Sequence, residues 1–92
     1  MIIENKESLT PKTLDIKRAI DSLREELEAI DLYNQRADST SDVELKNILI
    51  HNANEEKEHS AMLIEWLRKN DEVFAKVVVD NLFKNKINTD HK

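Results

Sequence analysis

The 92-residue sequence predicts an all-α fold, in which two long helices form an antiparallel hairpin and a short third helix follows. It contains no glycine, the residue on which the tight turns of β-hairpins depend. Charged residues make up 36% of the chain and hydrophobic residues 39%, a balance typical of amphipathic helices. Apolar residues also recur at steps of three and four, which puts them on one helix face.

One small domain is expected over residues 1–92, with its first helix over residues 11–38. Thr10 is a good N-cap, and Pro11 suits the first helical position because the N–H that proline lacks is unpaired there anyway. Polar residues after position 37 mark a turn. The apolar face of this helix is expected to consist of Ile16, Ile20, Leu23, Leu27 and Ile30.

The second helix is predicted over residues 42–70. Ser41 and Glu44 have the spacing of a capping box, which would open this helix. The residues that share its inner face form a stripe with apolar ends and a polar middle. The stripe consists of Leu45, Leu49, Asn52, Glu56, His59, Leu63 and Trp66.

A short third helix is predicted over residues 72–84, and residues 85–92 are expected to form a polar tail. The three valines at positions 77–79 favour a strand by propensity alone. A single strand would have no partner in this chain, so a helix is the better interpretation.

The polar middle of the stripe is its most informative part. Glu56 and His59 lie about 60° apart around a helix, near the centre of the stripe. Polar side chains on the buried face of a helix are costly unless something satisfies them. Folding the hairpin about the turn near Ser41 brings Glu26 level with Glu56. One hairpin then offers two carboxylates and an imidazole at a single level.

Ferritin-like di-iron bundles use a Glu from each of two helices and a Glu-x-x-His from each of the other two. This chain supplies one of each, Glu26 and the pair Glu56 and His59. Two copies related by a two-fold axis would supply the full set of ligands. The sequence therefore predicts that the chain is not functional as a monomer.

Other interpretations of the same residues stay open. A Glu-x-x-His in a glutamate-rich helix is also typical of a solvated ion pair. The chain would then be a structural or adaptor dimer that binds divalent ions incidentally. A haemerythrin-like oxygen carrier fits less well, because such a site needs more histidines than the three present here.

Tyr33 is expected to be a half-buried packing residue, within two turns of Glu26 and able to hydrogen-bond a ligand carboxylate. Trp66 is expected in the core. The side chains expected to lie in solvent are those of Glu25, Glu28, His51 and His91.

Charge and composition exclude several functions. A net charge of −5 disfavours a nucleic-acid partner, and the absence of cysteine excludes thiolate chemistry. A metal would be held by carboxylate, imidazole or hydroxyl groups, which suits iron, manganese, zinc or calcium. The first residues form neither a signal peptide nor a membrane span, so a cytoplasmic protein without a membrane partner is expected.

Two stretches, SLREELEAIDLYNQR (residues 22–36) and ILIHNANEEKEHSAMLIEWLR (residues 48–68), resemble the encapsulated ferritins, the ferritin-like cargo of encapsulin nanocompartments. The likeness covers roughly residues 9–83. It implies a ferroxidase that oxidises Fe(II) with dioxygen for iron storage. It also implies that each subunit is half a four-helix bundle, that pairs assemble into a decamer of five dimers, and that an encapsulin shell encloses them.

The resemblance further implies roles for individual residues. Tyr33 matches the tyrosine beside the family's di-iron centre, and the acidic pair Glu25 and Glu28 matches the site of iron access. The residues that match the centre itself are Glu26, Glu56 and His59.

The chain departs from the family pattern in two places. Leu32 stands where the family often has an aromatic residue. The tail from position 85 does not resemble the short apolar and basic peptide with which family members dock on the shell.

Overall fold

The structure is a computed structural model that describes residues 1–90. The predicted all-α fold is confirmed, because the described residues form three α-helices after a short 3₁₀ turn and no strand. The helices are α1 (Pro11–Ser39), α2 (Val43–Asn70) and α3 (Glu72–Asn81). The first two pack against each other as an antiparallel hairpin, and α3 packs against α2.

Side-chain caps fix where the two long helices begin. The Thr10 hydroxyl accepts a hydrogen bond from the Thr13 N–H at 3.1 Å, as an N-cap should. The predicted capping box at Ser41 is wrong, because Asp42 is the N-cap of α2 and its carboxylate accepts from the Leu45 N–H at 2.8 Å. An aspartate caps as well as a serine does, so the helix begins one residue later.

The third helix ends at Asn81, three residues before the expected boundary at position 84. The Asn81 side-chain amide donates to the Val77 carbonyl at 2.8 Å, and Phe83 has a positive φ of 58°. The helix stops because Leu82, its C-cap, already has an extended backbone with φ −92° and ψ 154°, outside the helical region. His91, expected in the solvated tail, lies outside the described residues.

Helices α1 and α2 meet along a seam of mostly small side chains. We call this buried set the seam, and it consists of Ala19, Ala37, Ala53, Ser60 and Leu67. The apolar face predicted for α1 is wrong in part, because Ile20 and Leu27 are exposed. Small side chains let two backbones approach closely, so the larger apolar residues are displaced to either side.

The stripe predicted for α2 is also rotated out of the seam. Most of its members are half-buried, and Leu45 is exposed. Trp66, expected in the core, is half-buried, and the Lys12 Nζ lies 6.0 Å from its ring centre. We use the name site flank for a set of half-buried residues on α1 and α2, which consists of Leu49, Asn52, Glu56, His59, Leu63, Trp66, Glu26 and Tyr33.

Across residues 1–90, no helix combines the length and the apolar composition that crossing a lipid bilayer requires.

Candidate metal centre

Three side chains from two helices converge on the site flank. Glu26 comes from α1, whereas Glu56 and His59 come from α2. The His59 Nδ1 lies 3.5 Å from the Glu26 Oε2 and 3.4 Å from the Glu56 Oε2. One potential ligand atom from each residue lies within 4.8 Å of the other two, and within residues 1–90 no other group of three such residues meets this condition.

Local helix geometry explains the convergence. Glu56 and His59 are three residues apart, so they are neighbours on the surface of α2. Ala53 and Ser60 lie in the seam next to them and keep α1 close. The Ser60 hydroxyl donates to the Glu56 carbonyl at 2.9 Å, so this small polar residue is satisfied within its own helix. The seam therefore sets the distance across which Glu26 meets the other two residues.

The Glu26 carboxylate has an unusual environment. Its Oε2 is buried and accepts no hydrogen bond from any described residue. The 3.5 Å separation from the His59 Nδ1 is too long for a good hydrogen bond. A buried carboxylate oxygen without a partner is costly, and a bound cation would remove that cost.

No lysine or arginine in residues 1–90 forms an ion pair with either carboxylate of the cluster. The Glu26 and Glu56 side chains are 24% and 23% exposed, whereas the His59 side chain is 43% exposed. The negative charge is thus partly sheltered from solvent, and His59 is the most exposed member of the cluster.

This donor set has a defined chemistry. Carboxylate oxygen and imidazole nitrogen suit iron, manganese or zinc, and carboxylates alone suit calcium. Three side chains leave coordination positions free for a second ion, for water or for ligands from another chain. The residues present therefore fit a divalent metal, but one hairpin supplies only part of a di-metal site.

The structure does not bring the other predicted site residues into this cluster. Tyr33 is half-buried on the same flank, its hydroxyl makes no hydrogen bond within the described residues, and the Arg36 Cζ lies 5.9 Å from its ring centre. Glu25 and Glu28 are exposed and lie outside the cluster. His51 is exposed, with its Nε2 3.8 Å from the Glu55 Oε1.

Sequence reasoning missed the residues that hold the two helices together. Ala53, Ser60 and Leu67 are spaced by seven residues, the period of a close helix–helix contact. Ala53 and Ser60 are small, so they contribute little to a pattern of large apolar side chains. The seven-residue spacing itself could have revealed the seam.

Comparisons with known proteins agree with this architecture. The EncFtn-like family matches residues 1–85. The chain is 52% identical over 77 residues to the encapsulated ferritin-like protein of Rhodospirillum rubrum, a match that covers 84% of this chain and 55% of that one. It is 53% identical over 62 residues to the ferritin-like protein of Thermotoga maritima, covering 67% of this chain and 54% of that one. The chain thus spans about half the length of these two relatives.

A solved structure is similar along almost the whole chain. The crystal structure of a protein from Nitrosomonas europaea matches with a TM-score of 0.90 and 54% sequence identity, and the match covers 98% of each chain. The resemblance inferred from residues 22–36 and 48–68 is confirmed by these relatives. The chain belongs to the EncFtn-like family of encapsulated ferritin-like proteins.

Proposed function

We propose that this chain is one half of a ferroxidase, which oxidises Fe(II) to Fe(III) with dioxygen at a di-iron site formed between two copies. Membership of a ferritin-like family supports an iron-related role. The observation that carries the proposal is the convergence of Glu26, Glu56 and His59, whose ligand atoms lie within 4.8 Å of one another.

Fe(II) is the substrate of the proposed reaction. Two ions give up one electron each, and dioxygen accepts these two electrons with two protons to leave as hydrogen peroxide. Reduction of dioxygen to two waters would take four electrons from four Fe(II) ions, together with four protons. In this proposal Glu26 and Glu56 bind the cation through their carboxylates, and the His59 Nδ1 adds a neutral donor. Anionic oxygen ligands favour the higher charge of Fe(III), so the donor set also assists the loss of the electron.

A second copy would complete the site. Two chains related by a two-fold axis bring four carboxylates together, and two divalent ions offset their charge of −4. The partial exposure of the His59 side chain supports this arrangement, because it leaves the cluster accessible to ligands from a partner. Without metal the carboxylates repel one another, so metal binding favours pairing.

Tyr33 and the acidic pair Glu25 and Glu28 have supporting roles in this proposal. Tyr33 hydrogen-bonds a ligand carboxylate from its position two turns along α1 from Glu26. The exposed carboxylates of Glu25 and Glu28 attract Fe(II) from solvent. Calcium, manganese or zinc would compete with iron for the same oxygen and nitrogen donors.

The resemblance to encapsulated ferritins supports a proposal for the assembly and the location. We propose a homodecamer of five dimers, held in the cytoplasm inside a shell of encapsulin subunits, where Fe(III) is stored. The name of the R. rubrum relative, an encapsulated ferritin-like protein, supports the enclosed location.

An aerobic Fe(II) oxidation assay tests the proposed activity. Glu26→Ala, Glu56→Ala and His59→Ala should each reduce the rate by at least about tenfold, because each removes a metal ligand. Two control variants, Glu58→Ala and His51→Ala, remove side chains of the same types that are exposed and lie outside the cluster. Both should retain the parental rate of Fe(II) oxidation.

Two results would contradict the proposal. Oxidation of Fe(II) by the parent at the uncatalysed rate would favour the structural or adaptor dimer instead. Equal losses in Glu58→Ala and Glu56→Ala would show that the chemistry does not depend on this cluster.

A further inference from the structure

The site flank carries a third polar residue whose role the ligand set leaves unexplained. Asn52 lies on α2, one turn before Glu56, and it is half-buried. Its side chain makes no hydrogen bond within residues 1–90. Asn54, by contrast, is exposed and accepts from the Lys57 Nζ at 3.1 Å, and the half-buried Asn70 accepts from the Lys12 Nζ at 2.9 Å.

Pairing of two copies would reduce the exposure of Asn52 to water. A partner that completes the metal centre must cover the flank on which Asn52 lies. The amide of Asn52 would then lose contact with water, and an unpaired buried amide is costly. An apolar residue would suit a purely structural interface better, as Leu49 and Leu63 on the same flank illustrate.

Glu56 is a side-chain acceptor one turn away from Asn52 on the same helix. Residues four apart on a helix are neighbours, and an amide pairs well with a carboxylate at this spacing. The other acidic neighbour, Glu55, is exposed and has its Oε1 3.8 Å from the His51 Nε2. The Oε2 of Glu56 is the oxygen that faces His59, so its Oε1 remains to accept a second bond.

We propose that Asn52 is a positioning residue of the metal centre, whose side-chain amide donates a hydrogen bond to the Glu56 carboxylate once two copies pair and cover it. The bond fixes the rotamer of Glu56 and leaves one oxygen directed at the metal. Ligating carboxylates depend on such hydrogen bonds for their orientation. A neutral amide donor does this without adding a charge that would compete with the cation. The inference rests on the proposed metal site.

Anaerobic titration calorimetry with Fe(II), and separately with Co(II), tests this role without relying on turnover. Asn52→Leu has a similar volume but no donor, and it should bind either metal about 10- to 100-fold more weakly than the parent. Asn52→Gln keeps an amide and should restore most of the affinity. The matched control Asn54→Leu should bind as the parent does.

Measuring the assembly of the same variants in chelator distinguishes a positioning role of Asn52 from a packing role. If Asn52 positions Glu56, then Asn52→Leu should assemble at least as well as the parent by native mass spectrometry, yet bind metal more weakly. A combined loss of assembly and metal binding that Asn52→Gln does not restore would show a packing role only and overturn the inference.

The outcome with Glu56→Ala distinguishes the two proposals. Parental metal affinity in Glu56→Ala would remove the proposed metal site, and this inference with it. Weak binding by Glu56→Ala together with parental binding by Asn52→Leu would overturn the role of Asn52 alone.

Discussion

The seam and the site flank both lie on α1 and α2, but they differ in burial and in the size of their side chains. The seam is buried and consists mostly of alanine and serine, whereas the flank is half-exposed and carries leucine, tryptophan and the polar cluster. The seam brings the two backbones close but buries little apolar area. The flank holds larger apolar side chains, and the described residues cover it only in part.

A single hydrophobic core usually both fixes the geometry of a domain and supplies its stability. Here these two roles are divided between the seam and the site flank. The seam sets the geometry of the hairpin, and hence the distances between Glu26 on one helix and Glu56 and His59 on the other. The buried hydrophobic residues among the described positions are three alanines and one leucine, a thin core for a domain of this size. Much of the stability should therefore come from covering the flank.

The largest expected effect comes from enlarging a seam residue. Ala53 is 1% exposed, so Ala53→Leu must push α1 and α2 apart. Overpacking of this kind costs about 1–3 kcal/mol and would also separate Glu26 from Glu56. Thermal unfolding followed by circular dichroism should show a lower Tm. Ala61→Leu, at an exposed position of the same helix, should leave the Tm near the parental value, and an equal Tm for both variants would refute the seam.

A charge on the apolar part of the flank should affect assembly rather than the hairpin. Leu63→Glu is expected to weaken pairing at least tenfold, or about 1.4 kcal/mol, while helical content stays unchanged. Light scattering over a concentration series measures this against the parent, which is expected to form dimers or a larger even-numbered assembly. The control Asn47→Glu adds the same charge at an exposed position and should assemble normally. Normal assembly of Leu63→Glu would mean that the partner binds elsewhere.

Removing one charge from the polar part of the flank should change assembly less than Leu63→Glu does, and in the opposite direction. Glu56→Gln relieves repulsion between carboxylates, so metal-free assembly should tighten about two- to fivefold, since partial exposure screens the charges. The same variant should oxidise iron poorly, because an amide is a weak ligand for iron. Native mass spectrometry in chelator and then in Fe(II) measures both effects. Unchanged or weaker metal-free assembly would show that the cluster is not repulsive.

The smallest effect is expected from ion pairs away from both surfaces. The Lys17 Nζ donates to Asp21 at 2.7 Å and lowers the pKa of that carboxyl. The stabilising contribution of Asp21 is therefore complete above the ordinary pKa of aspartate, about 3.9, and is lost as the pH falls through the lowered value.

Comparing Asp21→Asn with the parent isolates that contribution. The difference in Tm should be small at pH 6 and should vanish as the pH falls through the lowered pKa of Asp21. A difference that grows with acid would contradict the assigned direction of the shift in pKa.

Helix periodicity was enough to predict the fold and the convergence of Glu26, Glu56 and His59, but not the packing. Thr10, Pro11 and the three- and four-residue steps located α1, because caps and periodicity are local properties of a sequence. Matching levels across the hairpin brought Glu26 beside Glu56, since both helices have the same rise per residue.

The depth of burial could not be predicted in the same way. Trp66 and Leu27 look like core residues by hydrophobicity, yet the hairpin leaves both partly or largely exposed. Which face of a helix is buried depends on how closely the partner helix approaches, and that distance is set by small residues such as Ala53. Their side chains contribute almost nothing to a hydrophobic pattern.

Trp66 is the only tryptophan in the chain, and it lies half-buried on the site flank near the Lys12 amine. Its indole fluorescence is therefore a single optical signal from the surface that a partner would cover. Burial of the ring would shift its emission to shorter wavelength, and a paramagnetic ion bound nearby would quench it. One cuvette experiment could follow subunit pairing and metal uptake at the same time, with no label attached to the protein.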